Sequence, residues 1–238
     1  DYYASRGLGD VYKRQVIDNM VEWQSILSIK AKKTEISPPN YLSMEGIKLL
    51  LAQPDTTSWK GRRHLALLSL MYDTGARVQE IADLTVDCVR IDTTPYTIRL
   101  TGKGRKTRIV PLAEAQVDIL RSYMEENNLN DPNMMKKPLF FNGRHEKLTR
   151  EGITYILKIY ADMANKQQPE IIPKKISCHS IRHSKAMHLL QAGVNLVYIR
   201  DILGHVSIQT TDIYARADSK AKREALETVS YTHLTLPT

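Results

Sequence analysis

A mainly α-helical α+β fold with one small three-stranded antiparallel sheet is what this sequence predicts, on three observations. Apolar residues recur at helical spacing on both sides of residues 86–112. Inside that window the period changes to short runs rich in β-branched residues, separated by the turn-forming Thr93-Thr94-Pro95 and Lys103-Gly104-Arg105. The composition, 42% hydrophobic and 25% charged over 238 residues, suits one globular domain and a fraction, and it excludes disordered, collagen-like and disulfide-framework chains.

Taken in order, Ile17, Met20, Val21 and Leu27 give one amphipathic helix that runs into the basic Lys30, Lys32 and Lys33. A lone helix cannot bury its own apolar stripe, so residues 16–33 are expected to be the remnant of an N-terminal domain, and 34–40, with Pro38 and Pro39, a linker. The main domain is expected over 41–228. Ser43 is the natural N-cap of a helix through Ala52, which Pro54 ends. The apolar run His64 to Met71 predicts a buried helix broken at Gly75, followed by a short helix from Arg77 to Leu84. Strands are expected at Val86–Ile91, Tyr96–Thr101 and Thr107–Leu112. Helices resume at Ala113–Asn127, Arg150–Lys166, His179–Gln191, Asn195–Leu203 and from about Ile208, with Thr149 and Asn195 as N-caps and Gly193 and Gly204 at C-cap positions.

The two ends are expected to lie outside the fold. Residues 5–15, SRGLGDVYKRQ, and 229–238, VSYTHLTLPT, resemble conceptual translations of sequencing-library adapters. Setting aside 1–15 and 229–238 leaves 213 residues and lowers the net charge of +8 by one unit. That mild excess favours a polyanionic partner without identifying one. Two cysteines, Cys88 and Cys178, fall short of most structural zinc sites and of any secreted staple pattern, so a reducing, intracellular setting is the default. No apolar run approaches the ~18 residues of a membrane span.

Several polar groups interrupt the apolar patterns. Arg77 opens a helix after Thr74-Gly75-Ala76, Lys103 sits between Gly102 and Gly104, His179 and Arg182 share one helix face at i, i+3, His205 follows Leu203-Gly204, and Tyr214 lies nine residues later. Singly, each has an ordinary structural explanation: a solvated arginine, a hairpin tip, a core tyrosine. Together they are the parts of metal-free phosphoryl transfer: guanidiniums for the phosphate oxygens, acid–base groups, and a nucleophile.

Four stretches carry a specific resemblance. Thr74-Gly75-Ala76-Arg77-Val78-Gln79-Glu80, Thr101-Gly102-Lys103-Gly104-Arg105-Lys106-Thr107-Arg108-Ile109-Val110-Pro111-Leu112, His179-Ser180-Ile181-Arg182-His183, and Leu203-Gly204-His205 through Tyr214 resemble, in order, the boxes of the tyrosine recombinase (phage integrase) family, of the XerC/XerD and transposon-integrase type. The resemblance covers about residues 40–220. It implies the recombinase catalytic-domain fold and a site-specific recombinase that uses neither metal nor ATP nor any other cofactor. Tyr214 would attack the scissile phosphate to form a 3′-phosphotyrosyl link, and Arg77 and Arg182 would clamp its oxygens. Lys103 would protonate the leaving 5′ oxygen, His179 would serve as acid–base, His205 would add a hydrogen bond, and Glu80 would orient a neighbouring basic group. Double-stranded DNA is the implied partner, with a synaptic tetramer on DNA, a monomer when free, and a prokaryotic cytoplasmic setting.

Basic residues flank these boxes at Arg105, Lys106 and Arg108, at Lys136, Lys137, Arg144, Lys147 and Arg150, and at Lys174 and Lys175. They are expected to contact the DNA backbone, Arg105, Lys106, Arg108, Arg144, Arg150, Lys174 and Lys175 foremost. With the N-terminal domain almost absent, weak and poorly specific binding is expected. Two other readings remain. His179 and His183, at i, i+4 beside Cys178, are spaced like a metal pair, but the glutamate of a zinc-protease helix and a third ligand are missing. A non-catalytic helical DNA-binding module would use the same basic groups only to hold phosphates.

Overall fold

A computed structural model describes residues 40–204 and 211–219, the side chain of Lys103 excepted, all within the compact unit Pro38–Thr238. The expectations for residues 1–39, for residues 205–210, His205 among them, and for the chain after residue 219 lie outside the described residues.

Helix α1, Met44–Leu51, starts where Ser43 Oγ accepts from the Gly46 N–H at 3.1 Å, and it buries Ile47 and Leu50. Helix α2, Trp59–Thr74, is the central element. Ala66, Leu67, Leu68, Leu70 and Met71 leave almost no face of its middle turns exposed, as a helix surrounded by others requires, and it packs on the helices Glu114–Glu126 and Cys178–Gln191. It begins a turn earlier than the sequence suggested, because Ser58 Oγ caps Gly61 N–H at 3.1 Å. Gly75, left-handed at φ 56°, ends it. The short α3, Val78–Ala82, follows with Arg77 as its extended N-cap residue.

The sheet has the expected antiparallel order β1-β2-β3, with β1 Val89–Arg90, β2 Thr97–Thr101 and β3 Thr107–Pro111, Thr101 pairing with Thr107 across the hairpin. Alternation sorts the residues: Ile98, Leu100 and Val110 are buried, whereas Ile109 is exposed. The first strand is shorter than expected. The Val86 and Asp87 amides donate to the carbonyls of Lys137 and Met135, so Val86–Cys88 forms a 3₁₀ turn and only two residues remain to pair with β2.

The remaining helices follow their predicted spans closely: α4 Glu114–Glu126, α5 Arg150–Gln167, α6 Cys178–Gln191 and α7 Leu196–Leu203. Thr149 and Asn195 cap α5 and α7, and Gly204 ends α7 at φ 66°. A helix at residues 211–219, α8, carries Tyr214. The large core joins α1 to α5 with the sheet. Ala186, Met187, Ile199, Leu203 and Tyr214 form a second, smaller cluster between α6, α7 and α8.

Candidate active site

The site is assembled around the C-terminal end of α7. Helices leave their last carbonyls without intrahelical partners and carry negative partial charge there. Three arginines from three parts of the chain take three successive carbonyls. Arg108 Nε donates to Ile202 O at 2.7 Å, Arg182 Nη2 to Leu203 O at 2.6 Å, and Arg77 Nη2 to Gly204 O at 3.2 Å.

Local backbone chemistry delivers each of them. The left-handed Gly75 turns the chain out of α2, its carbonyl accepts from Arg182 Nη1 at 2.6 Å, and a Cβ on it would lie 2.8 Å from Leu203 Cδ2. Two residues on, Arg77 is fixed by Glu80, which accepts from the Arg77 backbone N–H at 2.8 Å and from its Nη1 at 2.9 Å. Arg182, on α6, is itself 4% exposed. The β2–β3 hairpin is drawn in as well, since a Cβ on Gly102 would lie 3.0 Å from Glu80 Oε1 and 3.8 Å from Arg77 Nη1. The backbone beside Lys103 and that beside His205 therefore both touch the arginine cluster.

Charge does not balance at this point. Burial alone would raise the Glu80 carboxyl, but hydrogen bonds from Arg108 and Arg77 hold it down at about 2, so it is an anion at neutral pH. Arg182 is lowered to about 10 by burial and then by the like charges of Arg77 and Arg108, against one opposing carboxylate. Three guanidiniums thus meet one carboxylate and the dipole end of a helix. Such an excess, partly sheltered from water, favours a bound anion, and guanidinium forks match phosphate oxygens.

Tyr214 lies beside this cluster in the second core, 1% exposed. Its hydroxyl is 2.8 Å from His183 Nδ1. Burial pushes the phenol up, with the Arg182 charge opposing, and burial pushes His183 down, assisted by His179 and Arg182. His183 is thus neutral at neutral pH, with Nδ1 at hydrogen-bond distance from the phenol oxygen. The exposed His179 ring lies one turn away, its centroid 6.4 Å from that of His183.

Of the sequence-predicted residues, Arg77 and Glu80 are in direct contact, Arg182 meets Arg77 on adjacent carbonyls at the end of α7, and Tyr214 and His179 flank them through His183. His205 and the Lys103 side chain lie outside the described residues. Arg105, Lys106, Arg144, Arg150, Lys174 and Lys175 are exposed. Arg108 departs from the expectation of a DNA-backbone contact: its side chain is 12% exposed and its donors are engaged by Glu80 and Ile202. Sequence reasoning also passed over the partner of Tyr214, since His183 entered only as the end of the His179-to-His183 stretch and as half of a metal pair, with no role of its own. Among the described residues no group of three or more His, Cys, Asp or Glu is arranged to hold a metal.

Comparison with known proteins matches residues 40–221 to the model of the phage integrase family. The chain belongs to the phage integrase family. Among members of that family, it is 34% identical over 216 residues to a putative integrase/recombinase, y4rC, of Sinorhizobium fredii, covering 91% of this chain and 64% of the relative. It is 36% identical over 200 residues to the tyrosine recombinase XerD of Staphylococcus epidermidis, covering 82% and 64%. The chain thus spans slightly under two thirds of the length of these curated relatives. A solved structure of the XerH site-specific recombinase bound to palindromic difH substrate, a post-cleavage complex, superposes with a TM-score of 0.69 at 25% identity, covering 82% of this chain and 55% of that one. The helical fold with its small sheet is accordingly the integrase catalytic-domain fold.

Proposed function

We propose that this chain is the catalytic part of a site-specific DNA recombinase that cuts and rejoins duplex DNA through a covalent 3′-phosphotyrosyl intermediate. The observation that carries the reading is the convergence of Arg77 and Arg182, 105 residues apart in the chain, on adjacent carbonyls at one helix end, with net positive charge and a tyrosine alongside. The similarity to XerD and to XerH in a post-cleavage DNA complex supports DNA as the substrate.

In the proposed reaction the two guanidiniums bind the non-bridging oxygens and stabilise the charge that builds there. The Tyr214 oxygen attacks phosphorus and its proton passes to the His179 imidazole. The bond to the 5′ oxygen breaks as Lys103 gives that oxygen a proton, and His205 donates to the phosphate. A 5′-hydroxyl of the exchanged strand then reverses the steps. One phosphodiester is exchanged for another at each stage, so no ATP hydrolysis drives the step, and the arginines supply the positive charge that a metal would otherwise provide. Tyr214 at rest is sheltered and held by His183, so cleavage requires α8 to shift. The exposed Arg105, Lys106, Arg144, Arg150, Lys174 and Lys175 contact the duplex backbone, and two DNA sites are brought together by a tetramer that assembles from free monomers. Among the described residues no helix is long and apolar enough to cross a membrane. The reaction would take place on DNA in a prokaryotic cytoplasm.

The test is a nicked duplex that traps the cleaved state. Wild type should yield a denaturant-resistant protein–DNA adduct, and Tyr214→Phe should bind the duplex equally well and yield none. A non-catalytic binding module would give no adduct in either case.

A further inference from the structure

We propose that Arg108 is a positioning residue that bolts the end of α7, and the segment leading to His205, onto Glu80 and Arg77. The inference rests on reading this cluster as the phosphate pocket. Arg108 places Nη1 2.9 Å from Glu80 Oε1 and Nη2 2.7 Å from Glu80 Oε2, a two-pronged pair, while its Nε reaches Ile202 O at 2.7 Å. Glu80 in turn holds both the backbone N–H and the guanidinium of Arg77. One planar group therefore joins β3, α3 and α7, and through Glu80 it fixes where Arg77 points.

A second observation is independent of those bonds. Gly204 has φ 66°, and a Cβ there would come within 2.9 Å of Arg108 Nη1, 3.1 Å of Cδ and 3.2 Å of Cζ. The glycine before His205 lies directly against the arginine, with no room for a side chain between them. Lysine cannot replace this arginine, because a single ammonium lacks the planar fork that grips both carboxylate oxygens while Nε holds a third acceptor. Without the fork Glu80 keeps only Arg77, and the last turn of α7 loses one of its three anchors.

The experiment compares Arg108→Lys with wild type in three readouts on the intact protein. Affinity for a mixed-sequence duplex is measured between 50 and 200 mM salt, the rate of covalent adduct formation is measured on bound nicked duplexes of random sequence, and hydrogen exchange is followed at residues 200–204. The expected result is an unchanged salt slope, adduct formation slowed at least ten-fold per bound complex, and faster exchange at the end of α7. A salt slope shallower by about one in Arg108→Gln, which unlike lysine removes the cation, with adduct formation intact in Arg108→Lys, would make Arg108 a DNA-backbone contact and overturn the proposal, as would no change in any readout. If Arg108→Lys does not fold, Gly204→Ala displaces the guanidinium with every charge retained, and wild-type adduct formation by that variant would equally overturn it. An absence of adduct in wild type would instead sink the recombinase reading, while exchange at 200–204 would still report on Arg108.

Discussion

Arg182 reaches the site with both terminal nitrogens on backbone carbonyls, Gly75 O and Leu203 O, which hold the guanidinium in place without neutralising it. Replacing it with methionine removes the donors of two buried carbonyls, at roughly 1–3 kcal/mol each for an unsatisfied group. Arg182→Met should therefore lower stability by about 2 kcal/mol or more in chemical denaturation and also abolish adduct formation. The His183–Tyr214 pair gives a pH prediction. The folded-state pKa of His183 lies below its usual 6.5, through burial first and then the positive Arg182 and the neighbouring His179. The stability it contributes is thus fully present above pH 6.5 and is lost as pH falls through the lowered folded value. Charging the buried imidazole beside His179 and Arg182 is disfavoured, so α8, which packs on it, should open more readily in acid. Hydrogen exchange across residues 211–219, corrected for intrinsic rate, should be faster at pH 5.5 than at pH 7.5, and His183→Phe should remove that pH dependence. Some of this was legible in sequence. Arg77, Arg182 and Tyr214 stand in ordered boxes, and Arg108 shares the parity of the buried Val110 and Leu112, which marks it as an inward arginine in need of a partner. The His183–Tyr214 contact joins residues 31 apart in the chain on different helices, and no local period reports it.

At the scale of elements, the turns between helices set the geometry. Gly75 is the clearest case, because its left-handed conformation, the contact of its Cα face with Leu203 and its carbonyl bond to Arg182 coincide. Gly75→Ala should destabilise the fold by about 1–3 kcal/mol through backbone strain, more than an alanine substitution at the exposed Gly143, which meets nothing within 4 Å. Urea denaturation of the two variants checks the difference. Helices were most legible where their stops are local, at the Ser43, Thr149 and Asn195 caps and the Gly75 and Gly204 endings. The first strand was not, since its amides are claimed by the carbonyls of Met135 and Lys137, some fifty residues away in sequence. Arg77 opens α3 as its N-cap rather than lying within it, and that places its N–H on Glu80.

For the whole molecule, the basic excess read from composition divides into two uses. Arg77, Arg108 and Arg182 are gathered inward on α7 and Glu80, whereas Arg105, Lys106, Arg144, Arg150, Lys174 and Lys175 remain exposed. If those six meet phosphates, the logarithm of duplex affinity should fall with the logarithm of salt at a slope of roughly −5. Titrations between 50 and 200 mM salt give that slope, and a value near zero would remove the DNA-backbone surface from the account. The central claim is that Tyr214 becomes covalently joined to DNA, and the most direct measurement is peptide mass spectrometry of the adduct after nuclease digestion. The account predicts a 3′-phosphonucleotide on the peptide containing Tyr214, absent in Arg182→Met. A nucleotide on any other residue, or bound DNA that never becomes covalently attached, would contradict it.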